Sequence, residues 1–134
     1  MNNSIKRAYA TLRVIGKYID PTSSTNDLRI VPTKYHKLGD KRGLKGTWPQ
    51  GYWGISSEVK ITSLDLSDHI TWLVQLVEPA REALLLLQQN GAKVDVFCFL
   101  EMQASSGGPS FEPSLLRRLA ELNLELGIDI YFVS

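Results

Sequence analysis

Residues 92–103, AKVDVFCFLEMQ, constrain the fold more than any other segment, because bulky side chains fill both faces of one strand pattern. Strict alternation places one set on the first face: Val94, Val96, Cys98, Leu100 and Met102. The second face carries Asp95, Phe97, Phe99 and Glu101. Large side chains on both faces are typical of a strand in the interior of a sheet. The segment therefore predicts a central strand.

Residues 63–91 precede this strand and carry the strongest helical pattern of the chain. Asp65 or Ser67 can cap the start of the helix, and Asn90–Gly91 is a common way to end one. Pro79 lacks a backbone N–H, so it either kinks this helix or begins a second one. Apolar residues recur every three or four positions as one stripe, namely Ile70, Leu73, Val77, Ala80, Leu84 and Leu87.

The residues before the long helix predict three strands and a short helix. Residues 9–15, YATLRVI, alternate as a half-buried strand, and Asp20 followed by Pro21 can start a helix of one or two turns. Residues 33–38 allow a weak edge strand. Residues 52–59, YWGISSEV, predict a strand with Trp53, Ile55 and Val59 on its apolar side.

The residues after the central strand predict a helix and a final strand. Pro113 can begin the helix, and Asn123 can adopt the left-handed conformation that ends it, with Leu124 packing on the last turn. Residues 126–133, LGIDIYFV, predict a buried strand. The helix is expected to turn four leucines inward: Leu115, Leu116, Leu119 and Leu122.

This order of elements predicts an α+β fold. Strands separated by one helix are expected to run parallel, and the weak pair before the long helix is expected to form a hairpin. The result is a ferredoxin-like mixed sheet of about five strands, with two main helices packed on one face and an extra unit added.

Composition narrows the class of protein. The chain of 134 residues has 43% hydrophobic and 22% charged residues, which is typical of a globular domain, and its net charge is only +1. No apolar run is long enough to span a membrane, and the N-terminus has no hydrophobic block of the kind found in secretory signals. Cys98 is the only cysteine, which is typical of a reducing compartment. We expect one domain, residues 1–134, that is soluble and cytoplasmic; the sequence does not indicate its oligomeric state.

The ordered set of several stretches resembles a known family. These stretches are ATLRVIG and DP near the start, PT and LGD in the loop, WGISSE, NGA, GGPSFEPSLLRRLAELNLEL and the closing DIYF. Together they are similar to a bacterial family catalogued as domain of unknown function 4279, over residues 10–132. Asn123, where similar members are expected to have glycine, and the extended basic insert at 41–51 depart from it. The resemblance supports the fold and implies no established activity; small domains of this kind often accompany bacterial toxin genes as immunity proteins.

Residues 29–53 contain the strongest candidate binding segment. Six cations and one acid, Asp40, lie between Arg29 and Lys45, which gives this stretch a charge of +5 and leaves −4 for the rest of the chain. Cations mixed with flat rings suit either nucleic acid or an acidic protein. The alternative is a solvated loop whose tryptophans tuck into the core. We expect Trp53 in the core, and we predict that a partner contacts Lys34, Tyr35, Lys41, Arg42, Trp48 and Tyr52.

Other candidate chemistry is weaker. The glycine-rich residues 105–112 lack the Gly-Lys-Ser/Thr ending of a phosphate loop and predict a turn. His36 and His69 have no metal-ligand spacing around them, and Cys98 on a strand predicts an inert buried thiol. Neither a metal nor a cofactor is therefore predicted. Three carboxylates can share one sheet face and could converge as an acid–base pair: Asp95, Glu101 and Asp129.

These observations favour a non-enzymatic protein-binding domain, of the immunity or antitoxin type, that neutralises a bacterial toxin. One alternative is a nucleic-acid-binding module that uses the same basic aromatic loop, although the near-zero net charge disfavours it. The other is a small enzyme that uses the three carboxylates.

Overall fold

The computed structural model describes residues 4–103 and 106–133. The elements follow one another in this order: β1 (Ile5–Gly16), α1 (Pro21–Leu28), β2 (Lys34–His36), β3 (Gly51–Ser56), α2 (Leu66–Val77), a 3-10 turn (Glu78–Ala80), α3 (Arg81–Gln89), β4 (Lys93–Met102), α4 (Pro113–Glu121) and β5 (Glu125–Phe132).

The five strands form one mixed, open sheet in the order β2-β3-β1-β4-β5. The first four strands and their helices give the β-α-β-β-α-β arrangement of a ferredoxin-like fold, with α4 and β5 as the additional unit. The predicted α+β class is confirmed. β4 is an interior strand, as its two-sided pattern predicts.

Strand directions also follow the prediction. β4 and β5 are adjacent and parallel. β3 and β4 both run antiparallel to β1, which lies between them, so they run in the same direction as each other. The weak pair, β2 and β3, forms the expected antiparallel hairpin.

The core lies between the sheet and the helices on one of its faces. Leu12 on β1 and Val96 on β4 are directly opposite each other and fully buried. Trp53 is also fully buried, as predicted, and its indole N–H donates to Thr25 Oγ1 at 3.0 Å. This hydrogen bond satisfies the polar atom of the ring, which a buried tryptophan requires.

Local sequence determines where the helices begin and end. The Asp65 carboxylate accepts from the Ser67 backbone N–H at 2.9 Å and caps α2. Pro79 lies in the 3-10 turn that separates α2 from α3. The apolar stripe predicted for one long helix is therefore divided between two helices. Asn123 has a φ of 55° just after α4, which is the left-handed conformation expected of it.

Two predicted inward side chains are wrong, and so is the predicted burial of the last strand, because β5 is an edge strand whose Ile130, Tyr131 and Phe132 are 40–59% exposed. β3 ends at Ser56, and the chain then turns away from the sheet because the backbone N–H groups of Lys60 and Ile61 both donate to the Ser57 carbonyl. Val59 lies in that turn and is 87% exposed. Leu116 is 44% exposed because it lies on the outer side of α4.

The glycine-rich turn is only partly described. Ala104 and Ser105 lie outside the described residues, and Ser106–Glu112 contain neither helix nor strand. α4 begins at Pro113, and Glu112 before it makes no side-chain capping bond. Within the described ranges, no helix combines the length and the apolar character needed to cross a membrane.

Candidate functional site

The loop between β2 and β3, residues 37–50, is exposed but ordered by its own backbone. The Gly39 N–H donates to the Trp48 carbonyl, the Trp48 N–H donates to the Asp40 carbonyl and the Arg42 N–H donates to the Gly46 carbonyl, each at 2.8 Å. Gly39 and Gly46 have φ angles of 87° and 98°, which other residues rarely adopt. The loop therefore has a defined shape despite its glycine content.

Four side chains stack at the base of this loop. The rings of His36 and Trp48 are nearly parallel, with centroids 3.8 Å apart, and the His36 and Tyr52 centroids are 5.6 Å apart. The Arg42 guanidinium carbon lies 4.5 Å from the Trp48 ring centroid. We call Arg42, Trp48, His36 and Tyr52 the loop stack. Trp48 is thus half-buried in this stack rather than in the core.

The loop stack perturbs two of its own titratable groups. Burial lowers the pKa of the His36 imidazole below its usual value, and its Nδ1 is enclosed without a hydrogen-bond partner. Burial likewise raises the pKa of the Tyr52 hydroxyl. The inaccessible Nδ1 of His36 lies in the interior of the stack, out of contact with solvent.

The structure brings most of the predicted contact residues together. Lys34 pairs with Gly54, and the alternation along β2 places it on the same sheet face as His36. Arg42 is exposed and lies over the Trp48 ring, and Lys41 is exposed in the loop, where its backbone pairs with Thr47. Tyr35 is the exception. It is 64% exposed on the helix side of the sheet, beside Pro21 and Thr25 of α1.

Of the five cations in residues 34–45, one, Lys37, pairs with Asp20 at 4.0 Å. Within residues 4–103 and 106–133, none of four cations makes an ion pair: Lys34, Lys41, Arg42 and Lys45. The nearby Asp40 carboxylate accepts from the Lys37 backbone N–H at 2.7 Å. The surface around the stack is therefore positively charged.

On the rest of the exposed sheet face, by contrast, the two arginines of β1 are paired. Arg13 binds the Asp95 carboxylate through two hydrogen bonds of 2.8 and 2.7 Å, and Arg7 pairs with Glu58. The Arg13 guanidinium also lies over the Phe97 ring, 4.3 Å from its centroid. Pairing neutralises these two arginines, whereas Glu101 and Asp129 on the same face make no ion pair within the described residues.

A row of rings crosses three strands of this face. Tyr9 and Phe99 lie opposite each other on β1 and β4 with centroids 5.0 Å apart and planes 16° apart. Tyr131 on β5 lies 5.1 Å from Phe99. Tyr9 and Phe99 stack face to face at about the spacing of strands, so most of their flat surface is covered by a neighbouring ring.

The three carboxylates do not converge. Asp95 is only 4% exposed and is occupied by Arg13, and the Tyr131 hydroxyl donates to Asp129 at 2.8 Å. That hydrogen bond raises the pKa of the Tyr131 hydroxyl. Glu101 lies six residues from Asp95 on the same strand, which is about 20 Å. Glu101 and Asp129 lie on adjacent strands two residues apart in register, and Asp129 is occupied by the Tyr131 hydroxyl, so the three groups do not meet at one point.

His69 belongs to a buried polar network that sequence reasoning did not find. Its Nδ1 lies 2.6 Å from Ser57 Oγ, and its Nε2 lies 2.6 Å from the Ser63 carbonyl oxygen. Because a carbonyl can only accept, Nε2 donates and Nδ1 accepts from the Ser57 hydroxyl. Ser57 Oγ also accepts from the Ala10 N–H at 2.9 Å. His69 is fully buried, so this serine–histidine pair has a structural role.

No other site chemistry emerges from the described part of the chain. There, no group of three or more His, Cys, Asp or Glu side chains could hold a metal ion. Cys98 is fully buried, and burial raises the pKa of its thiol to about 12, as expected of an inert cysteine.

A comparison with protein families supports the resemblance seen in the sequence. The family described as a domain of unknown function, DUF4279, matches residues 6–133, which is nearly the whole chain. The chain belongs to the DUF4279 family. Neither the curated proteins nor the solved structures contain a match to it. Two of the four side chains of the loop stack, Arg42 and Trp48, lie in residues 41–51 of this DUF4279 domain, and the other two lie on β2 and β3.

Proposed function

We propose that this DUF4279 domain is a non-enzymatic protein-binding domain of the immunity type, which neutralises a bacterial toxin by covering part of its surface. One observation carries the proposal. The loop stack is an ordered column of three rings and one guanidinium, and cations without ionic partners surround it. Trp, Tyr and Arg are the residues that most often dominate the energetics of protein interfaces.

The order of the loop favours tight binding. Backbone hydrogen bonds fix residues 39–48 before any partner arrives, so little conformational entropy is lost on association. The stack holds Trp48 between His36 and Arg42, and the exposed Arg42 guanidinium supplies donors for carboxylates. The unpaired lysines then favour an acidic partner and accelerate its approach. We place this binding in the cytoplasm, because a single buried cysteine suits a reducing compartment.

The test is direct binding to the product of the neighbouring gene. The two proteins are co-expressed and purified, and their affinity is measured by titration calorimetry. We expect Trp48→Ala to weaken binding by about 2 kcal/mol, roughly thirtyfold, because it removes the centre of the stack. The matched control is Tyr18→Ala, which removes another exposed aromatic side chain outside the stack.

The fold of both variants is checked by thermal unfolding. Trp48 lies outside the buried core cluster, so its removal is expected to leave cooperative unfolding intact. Two outcomes would refute the proposal: no complex with the neighbouring product, or equal affinity for wild type and Trp48→Ala.

The second candidate is binding of single-stranded nucleic acid through the same loop. The unpaired cations favour it, because phosphate neutralisation drives such binding. The test is fluorescence anisotropy of a labelled single-stranded RNA and of its DNA counterpart at low salt. Affinity that falls steeply with salt and is lost in Trp48→Ala would favour this candidate over the first.

A further inference from the structure

The two edges of the sheet are unlike each other. β2, at one edge, has only three residues and carries Lys34 on its exposed side. Short length and lysine are devices that prevent an edge from pairing with another chain. β5, at the other edge, pairs with β4 along all eight residues without a bulge and contains no Lys, Arg or Pro. Half of its backbone hydrogen-bonding groups face away from β4 and are available to another strand.

Exposed apolar side chains are concentrated at the C-terminal end of β5. Four consecutive residues are 38–59% exposed: Ile130, Tyr131, Phe132 and Val133. They lie on both faces of the strand, since successive side chains alternate. An added strand at this edge would therefore cover apolar surface on each face of the sheet.

The charges of β5 select one way of pairing two copies. Its only charged residues are Glu125 and Asp129, both acidic and both on the exposed sheet face. When two identical strands pair antiparallel, one residue lies opposite its own counterpart in the second copy, and we call this residue the centre of the pair. A centre at Gly127 or Asp129 would place one carboxylate directly opposite another. A centre at Ile128 or Ile130 would place a carboxylate diagonally across from a carboxylate of the second copy, two residues along the strand from the directly opposite position. A centre at Tyr131 or at Phe132 separates them in both respects, and like charges at such positions are destabilising. Of these two, a centre at Tyr131 pairs more residues of β5.

We propose that the free edge of β5 is a homodimerisation surface, at which two copies of this chain pair antiparallel about Tyr131. Tyr131 then lies opposite its counterpart in the second copy, and Ile130 lies opposite the second copy's Phe132. The two sheets join into one of ten strands. The row of rings through Tyr9, Phe99 and Tyr131 continues across the junction. This proposal uses the opposite edge of the sheet from the loop stack and is independent of the proposed function.

Disulfide crosslinking tests the register. Residues directly opposite in an antiparallel pair have Cα atoms roughly 4.5–5.5 Å apart, within the range of a disulfide. Tyr131→Cys is expected to crosslink into a covalent dimer when oxidised glutathione accepts the two thiol hydrogens. Asp129→Cys is the matched control, because its two copies would lie about 13 Å apart along the strands. The native Cys98 is buried and does not compete. No crosslink in Tyr131→Cys, or an equal crosslink in Asp129→Cys, overturns the proposal.

Sedimentation equilibrium tests the surface without crosslinking. We expect the wild-type chain to dimerise with a Kd in the micromolar range, because one pair of strands is a small interface. Phe132→Lys is expected to weaken the dimer at least tenfold. The control Val59→Lys places the same charge at another exposed apolar position, in the turn after β3, and is expected to have no effect.

Amide hydrogen exchange confirms the fold of each variant and locates the contact. In the wild type, protection of β5 amides is expected to rise with protein concentration, whereas that of β2 amides is not. A wild-type chain that stays monomeric to roughly 500 µM, a concentration well above micromolar affinities, overturns the proposal. A dimer that Phe132→Lys does not weaken also overturns it.

Discussion

His69 joins three parts of the chain that are distant in sequence. It accepts from the Ser57 hydroxyl and donates to the Ser63 carbonyl, while Ser57 holds the Ala10 N–H of β1. We expect His69→Ala to lower the free energy of unfolding by about 3 kcal/mol, because it leaves a cavity and two buried polar groups without partners. Urea denaturation measures this loss. Gln75→Ala, on the exposed side of the same helix, is expected to change it little, and equal losses in the two variants would contradict the structural role.

His36 makes the stability of the loop stack depend on pH. Burial lowers its pKa in the folded protein below the usual 6.5, so the unfolded chain binds the proton more readily. The stabilisation is therefore complete above pH 6.5 and decreases as the pH falls through that value. Asp40 partly opposes this effect and Lys34 reinforces it.

His36→Phe tests this dependence because it keeps a flat ring and removes the enclosed Nδ1. We compare melting temperatures at about pH 7.5 and about pH 5.5, a window in which most carboxylates stay charged. The wild type is expected to lose more stability on acidification than the variant. Identical losses would show that another group is responsible.

At the scale of elements, β1 and β4 are joined by one ion pair that is largely shielded from water. Arg13 binds both oxygens of Asp95, which is only 4% exposed. We expect Arg13→Met to destabilise the protein by about 3 kcal/mol, because it leaves a buried carboxylate unpaired. The double variant Arg13→Met, Asp95→Leu is expected to recover most of this loss.

Arg7→Met is the matched control, since Arg7 and its partner Glu58 are both exposed on the same sheet face. Its denaturation midpoint is expected to stay close to that of the wild type, because water screens exposed pairs. If the double variant is as unstable as Arg13→Met alone, the unpaired carboxylate is not the cause of the loss.

Patterns with a clear period predicted the elements well. The alternation of residues 93–102 predicted both the strand and its position in the interior of the sheet, because large side chains on both faces are typical of a strand that is covered on both sides. Val59 was misplaced because the end of β3 depends on a hydrogen-bonded turn at Ser57, which alternation does not encode. The contacts of the loop stack could not be predicted from the spacing of residues along the sequence. His36 and Trp48 are twelve positions apart and meet only because the loop folds back.

At the scale of the whole molecule, a net charge of +1 conceals a separation of charge. Cations without partners surround the loop stack at one edge of the sheet, whereas β5 at the other edge carries only acids. Such a molecule approaches an acidic surface in one preferred orientation. The local charge of the loop, rather than the total charge, is therefore expected to control the rate of association.

Two double variants with the same change in net charge separate these effects. Lys41→Glu with Arg42→Glu reverses charge in the loop, and Lys60→Glu with Arg117→Glu reverses it at exposed positions elsewhere. We expect the loop variant to associate with an acidic protein partner about tenfold more slowly at low ionic strength, since steering acts mainly on the association rate. The difference is expected to shrink at high salt, where the Debye length becomes short. Stopped-flow measurement of both rates decides the matter: if the two variants slow association equally, the total charge steers the encounter and the loop does not.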